Sequence, residues 1–433
     1  MTSSAPPRHP LAAVAPAADS GADQALLRSV ALVERLAGAL HRYGTPAHRL
    51  EEAMVRVGRR LGLTMEFFST PTAIFAAFHH PRLDRVRLMR LEPGEVNLEK
   101  LTQLDHELSQ ILEAPPVAAG EASSLDTEAM IRRIDDVVSA PVRYGPTETT
   151  FAFAFASGSA AFFFGGGVPE IVLATLVGLG IGLLALAVER WASAGRLFEL
   201  LAALLASWGA TAAAGWMGGS TPFVVILAGL IVLVPGLSLT VAMTELASRH
   251  LVSGASRLAG VLLVFLTLGF GVALGTRLGE LTVGELTTSA PVPIPAWGTV
   301  VALVVAGLAF TVLFRARPQD AGWVFLAAVL ALVGARTGAH LLGPQLGALV
   351  GAVLVGLGGN LHARWLDRPA AVTQVPGLML LVPGSLGFRS VASLLEKDTL
   401  SGVQTAFSMG VVAVALVVGL LLANVILPPR GTL

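Results

Sequence analysis

The residues best suited to chemistry lie in two short stretches of an otherwise greasy chain. In "LVPGLSLTVAMTELASRH" the helix-breaking pair Pro235-Gly236 is followed by Ser238, Thr240, Thr244, Glu245 and Arg249. In "TQVPGLMLLVPGSLGFRS" Thr373 and Gln374 precede a second pair, Pro383-Gly384, with Ser385 and Arg389 behind it. Proline removes an amide donor and glycine accepts unusual backbone angles, so each pair frees backbone groups. Hydroxyls beside such groups can hydrogen-bond the ammonium and carboxylate of a small zwitterion. Glu245 is a candidate proton carrier, because ionisable residues at membrane depth are costly without a function. Arg249, four residues on, could instead pair with it. Arg249 and Arg389 are therefore candidates for gating or charge pairing. A plainer reading stays open: each Pro-Gly ends a span, and the polar residues behind it form an interfacial helix.

The two stretches keep a constant register. Pro235-Gly236 and Ser253-Gly254 recur 148 positions later as Pro383-Gly384 and Ser401-Gly402. A helix needs about 20 apolar residues to cross a bilayer. Ten segments approach that length, at about 149–165, 170–188, 197–215, 222–240, 258–276, 297–314, 321–335, 346–360, 370–388 and 402–427. The pairs fall in the fourth and ninth of these. Spans five apart enter the membrane in opposite directions. The expectation is an α-helical polytopic membrane protein of about 10 transmembrane helices, arranged as a 5+5 inverted repeat in which interrupted helices meet near mid-membrane. A second echo, "LVGLG" at 176–180 and 354–358, is out of this register and reads as small-residue packing.

Composition divides the chain. Residues 1–148 hold 19 of the 29 acidic and 16 of the 29 basic residues. A Pro- and Ala-rich tail (1–22) is expected to be disordered and is not read as a signal peptide. It precedes a small cytoplasmic α+β domain (23–145), a first membrane domain (146–290) and a second (291–433). In the α+β domain, helical patterns over 23–62 are split at "RYGTP", with Gly44 as C-cap, Thr45 as N-cap and Pro46 at the first helical position. Three strands follow in "TMEFFS", "TAIFAAF" and "RVRLMRL", then helices near 98–112 and 126–138. With this domain inside, nine loop or tail arginines fall on the inner side against four cations outside. That favours both termini in the cytoplasm, although Lys397 and Arg389 share one outer loop.

Other candidates are weaker. His48 shares a helix face with Glu51 and Glu52, which could form an acid–base pair but reads as a solvated face. His79-His80 reads as an exposed turn before Pro81. Ser157, Gly158 and Ser159 suggest close helix packing, and "FFFGGG" after them a flexible exit. Glu170 complements the dipole of the helix it starts, and Arg336 and His340 suit an outer interface. No nucleotide-binding loop or metal-binding motif is present, and the zero net charge gives no basic surface for nucleic acid. No cofactor is expected.

"LHRYGTPAHRLEEAMVRVGRRLGL" and "FFSTPTAIFAAF" resemble the cytoplasmic region of the threonine/serine exporter family. "PGLSLTVAMTELASRHLVSGASRLAG" is similar to its first membrane domain and "VPGSLGFRSVASLLEKDTLSGVQTAF" to its second, fused here in one chain. The resemblance implies export of small amino acids such as threonine and serine, driven by proton antiport, with the lipid bilayer as setting. A homo-oligomer is left open. It carries over the segments around Pro235-Gly236 and Pro383-Gly384 as the place of the substrate. The rival readings are a membrane-bound hydrolase with the α+β domain as active unit, and a membrane-anchored sensor or scaffold.

Overall fold

The computed structural model describes residues 21–429, apart from 81–82, 93, 117–124, 192–194, 218–219, 285–289 and 293. The tail expected to be disordered lies almost wholly outside these residues. The chain opens with α1 (Gly21–Arg42) and α2 (Ala47–Arg60). Gly44 turns the chain between them at φ +90°, a region hostile to residues with a Cβ. The expected cap is displaced by one residue. Pro46, extended at φ −62° and ψ 149°, is the N-cap of α2, and it offers no side-chain bond. Strands β1 (Thr64–Thr70), β2 (Ala73–His80) and β3 (Leu83–Arg90) form an antiparallel sheet in chain order. His79-His80 therefore end a strand instead of forming a turn. Pairing with β3 extends the ladder that far, and His79 bonds Asp84 across it at 3.0 Å. Two more helices, α3 (Leu98–Glu113) and α4 (Thr127–Ser139), are capped by Asn97 and Asp126, whose side chains accept from Lys100 N and Ala129 N.

The rest is helical: α5 (Pro146–Phe163), α6 (Val168–Glu189), α7 (Phe198–Met217), α8 (Pro222–Gly229), α9 (Gly236–Ala247) and α10 (Leu251–Val283). Then follow α11 (Trp297–Leu313), α12 (Ala321–Leu342), α13 (Gly347–Leu366), α14 (Ala371–Leu381), α15 (Gly384–Leu395) and α16 (Thr399–Ile426). Among the described residues, six helical segments are long and apolar enough to cross a membrane, while α9 and α11 are apolar but shorter. The protein is a polytopic helical membrane protein, and length and composition alone reach six spans instead of ten. Several helices, α10, α12 and α13 among them, are longer than the sequence suggested. Arg336 and His340 lie inside α12, which stops only at Gly343 with φ +90°. Isolated polar side chains do not end a helix, whereas a left-handed glycine does.

Both Pro-Gly pairs interrupt their segments. Pro235 is the N-cap of α9 (φ −79°, ψ 45°) and Pro383 that of α15 (φ −77°, ψ 25°). Leu239 N donates to Pro235 O and Gly387 N to Pro383 O, both at 3.0 Å. Fourteen residues after each proline, the chain turns a corner through a left-handed cation, Arg249 or Lys397, both at φ 66°. His250 N then donates to Glu245 O at 2.8 Å, and Asp398 N to Ser393 O at 2.9 Å. A Cβ on Gly254 would lie 2.7 Å from Leu246 Cγ, and one on Gly402 would lie 2.6 Å from Leu394 Cγ. The register seen in the sequence is thus carried by matching backbone bonds and matching close packing.

The glycine run after α5 is not a loose exit. Gly166 N donates to Ala161 O at 2.8 Å, and a Cβ there would meet Ala161 O at 2.9 Å. Helix α5 packs on α6 and α11, α7 packs on α10, and α13 packs on α12 and α16. The core of the N-terminal unit, including Leu36, Met54 and Phe78, continues into Ala306 and Phe310 of α11 and Val324 of α12. One hydrophobic core therefore joins the unit to the helical region.

Candidate functional site

The two interruptions meet. A Cβ placed on Gly236 would lie 3.4 Å from Gly384 Cα and 2.0 Å from Val382 Cγ1. One on Gly384 would lie 2.5 Å from Val234 Cγ1. A side chain on either glycine would run into the valine that precedes the other pair. Against the contact lies a cavity of about 880 Å³. Helix α5 lines it along its length, from Thr149 through Phe153 and Ser159 to Phe163. The first interruption contributes Ile231–Leu233 and Ser238, and the second contributes Leu380–Val382 and Ser385. Glu95 and Tyr144 reach it from the N-terminal side, with Arg315 behind α11 and Arg336 from α12. A polar-studded, mostly apolar cavity of this size suits a small organic molecule.

The expected site residues divide accordingly. Ser238 and Ser385 line the cavity, and Pro235, Gly236, Pro383 and Gly384 form the crossing beside it. Thr240 and Thr244 do not line it. Their hydroxyls donate to the backbone four residues back, to Gly236 O at 3.2 Å and Thr240 O at 2.8 Å. Gln374 turns to Asn360, donating to its Oδ1 at 3.0 Å. Thr373 is buried, also away from the cavity wall. Arg389 is exposed, and its guanidinium sits 5.7 Å from the Phe223 ring centroid.

Glu245 is fully buried, and its partner is not Arg249. Its Oε2 accepts from Ser253 Oγ at 2.9 Å, and Arg257 closes on both oxygens at 3.2 Å. The corner at Arg249 folds α10 back against α9, which brings residues 253 and 257 closer than the i+4 position. Glu245 Oε1 also accepts from Ala47 N at 3.1 Å, so it supplies the cap that Thr45 and Pro46 do not give α2. Next to it His250 Nε2 lies 3.1 Å from Glu51 Oε2, and the His48 and His250 rings are 6.1 Å apart. The α2 face read as solvated is therefore a junction with the helical region. Burial, then Arg49 and His250, push His48 down to about 4. Burial raises Glu51, against the opposing bond from Ser69 N.

Sequence reasoning passed over Ser159, Glu95, Arg315 and Arg336 as cavity residues. Ser159 was legible as a polar residue mid-span, and its buried hydroxyl has no protein partner. Glu95 and Arg315 carried no signal, because 220 positions separate them. Among the described residues no group of three or more His, Asp or Glu could hold a metal ion.

Two interrupted helices meet on the wall of a cavity within a polytopic helical membrane protein, an arrangement that many secondary transporters share. The profile of the threonine/serine exporter family matches residues 31–279, and a second profile described as Threonine/Serine exporter, ThrE, matches residues 299–426. The chain belongs to the threonine/serine exporter family. It is 28% identical over 393 residues to Pheromone-regulated membrane protein 10 of Eremothecium gossypii, covering 89% of this chain and 51% of that one. The protein of the same name from Saccharomyces cerevisiae is 28% identical over 395 residues, covering 88% and 48%. That from Candida albicans is 27% identical over 394 residues, covering 88% and 34%. The chain thus spans about half or less of the length of these relatives. No solved structure matches it.

Proposed function

We propose that this chain is a secondary active transporter that exports small amino acids such as threonine and serine across the cell membrane, by proton antiport through alternating access. The contact of Gly236 with Gly384 against the 880 Å³ cavity carries this reading. Interrupted helices free backbone donors and acceptors, and in a bilayer these persist only where protein or a water-filled cavity covers them. Ser238 and Ser385 stand one on each side of the crossing, where a zwitterion can be held by hydroxyls and helix ends together.

In this reading α5, α11 and α13 also span, and α8–α9 and α14–α15 are each one broken span. The total is ten, as a 5+5 inverted repeat, with the N-terminal unit and both termini in the cytoplasm. One repeat rocks against the other about the crossing. Glu245, held by Ser253, Arg257 and Ala47 away from the cavity wall, serves the junction with the cytoplasmic unit instead of carrying the proton. Purified protein in liposomes with an imposed pH gradient tests the proposal. Gradient-dependent flux of labelled threonine and serine is expected, and absence of flux for every amino acid tried would overturn it.

A further inference from the structure

The N-terminal unit touches the cavity at one charged point. Glu95, in the connection between β3 and α3, lies 2.6 Å from Arg315 Nη2, and both side chains line the cavity. Their frame is rigid. Leu98 N donates to Phe314 O at 3.0 Å and Glu99 N to Arg315 O at 3.1 Å, so the start of α3 is bonded to the end of α11. Tyr144 Oη donates to Ala316 O at 2.9 Å, fixing the same turn from another side. Arg315 itself is held at φ 51° by its N–H donating to Val312 O. Glu99 is already engaged by Arg143 and leaves Arg315 to Glu95.

The pair is not a buried lock. The Glu95 side chain is 78% exposed and that of Arg315 28%. An ion pair so open to water contributes little to stability, and its opening is correspondingly cheap. What it offers the cavity is one carboxylate and one guanidinium at fixed spacing, the charge complement of a free α-amino acid. The guanidinium fork suits a carboxylate, and Glu95 suits an ammonium.

We propose that Glu95 and Arg315 form a zwitterion-recognition subsite at the mouth of the cavity, where an incoming amino acid inserts its carboxylate against Arg315 and its ammonium against Glu95. This rests on the transport reading above and assigns the N-terminal unit a part in substrate selection. The exchange of one exposed ion pair for two makes capture and release nearly balanced, as a transporter requires. The subsite reads only the charges common to all α-amino acids, and choice among side chains is left to the walls beyond it.

Wild type, Glu95→Gln, Arg315→Gln and the swap Glu95→Arg/Arg315→Glu are compared in liposomes, each checked for a monodisperse peak and an unchanged melting temperature. Each single variant should raise the KM for threonine roughly tenfold or more, because a charge-assisted bond is lost, with kcat little changed. Competition separates the charges. Arg315→Gln should leave inhibition by the amino alcohol threoninol unchanged, and Glu95→Gln should spare inhibition by a hydroxy acid without an ammonium group. A purely structural pair predicts that threoninol and the hydroxy acid weaken alike in both single variants and recover alike in the swap, and that result would overturn the subsite, as would unchanged KM in both single variants. Failure of wild type to move any amino acid would instead sink the transport reading itself.

Discussion

At the scale of single residues, the junction under the N-terminal unit holds two groups with opposite pH responses. His48 is pushed from 6.5 down to about 4 in the folded protein, chiefly by burial. Its contribution is complete above 6.5 and is lost as pH falls toward 4, because the unfolded chain binds the proton first. Asp105 moves the other way, from 3.8 up to about 7, through burial and the nearby Asp367 carboxylate. The folded state holds that proton while the unfolded chain has released it, so stability falls as pH rises from about 4 to 7. The two slopes oppose each other in wild type. Asp105→Asn should leave a melting temperature that climbs between pH 4 and 6.5, and His48→Gln one that declines from pH 4 to 7, both readable by scanning calorimetry in detergent. Glu245→Ala removes one member of a buried pair and uncaps α2. It should cost about 3–5 kcal/mol, against a smaller loss for Glu245→Gln, which keeps an acceptor for Ala47 N.

At the scale of elements, the crossing of the two interruptions gives a reciprocal test. Alanine at 236 drives its Cβ into Val382, and alanine at 384 drives its Cβ into Val234. Overpacking of this kind costs roughly 1–3 kcal/mol and should cut flux more than it cuts folded yield. Gly236→Ala with Val382→Ala, and Gly384→Ala with Val234→Ala, should recover flux, since each removes the atoms that clash. If neither valine change helps, the interruptions do not have to touch during transport. The interruptions were legible beforehand because the Pro-Gly breaks and the small residues at 253–254 and 401–402 are local features that repeat with the chain. The left-handed corners at Arg249 and Lys397 carried no such signal. The partners of Glu245 were not legible either. The i+4 rule presumes one continuous helix, and the corner at Arg249 and His250 breaks it, delivering Ser253 and Arg257 in place of the nearer arginine. Thr45 failed as a cap for a related reason: the acceptor came from another region of the molecule.

At the scale of the whole molecule, the N-terminal unit is an integral part of the fold. Its core runs into α11 and α12, and its helix ends bond to theirs. Removing residues 1–145 should therefore lower the melting temperature of the remaining helices and leave them prone to aggregate, checked by size-exclusion of the truncated chain. The contact of α5 with α11, together with the glycine crossing, should let separately expressed halves, 1–286 and 287–433, co-purify through a tag on either one. Strands β1 to β3 and the helical periodicities could be read in advance, but no local pattern announces that the N-terminal unit and the helical region share one interior. The remote cap on α2 also has a temporal side. Ala47 and Glu245 are separated by 198 positions, and a ribosome adds roughly 5–20 residues per second. The leading part of the nascent chain waits about 10–40 s with an open amide, and its completion reports that the membrane segment behind it has arrived.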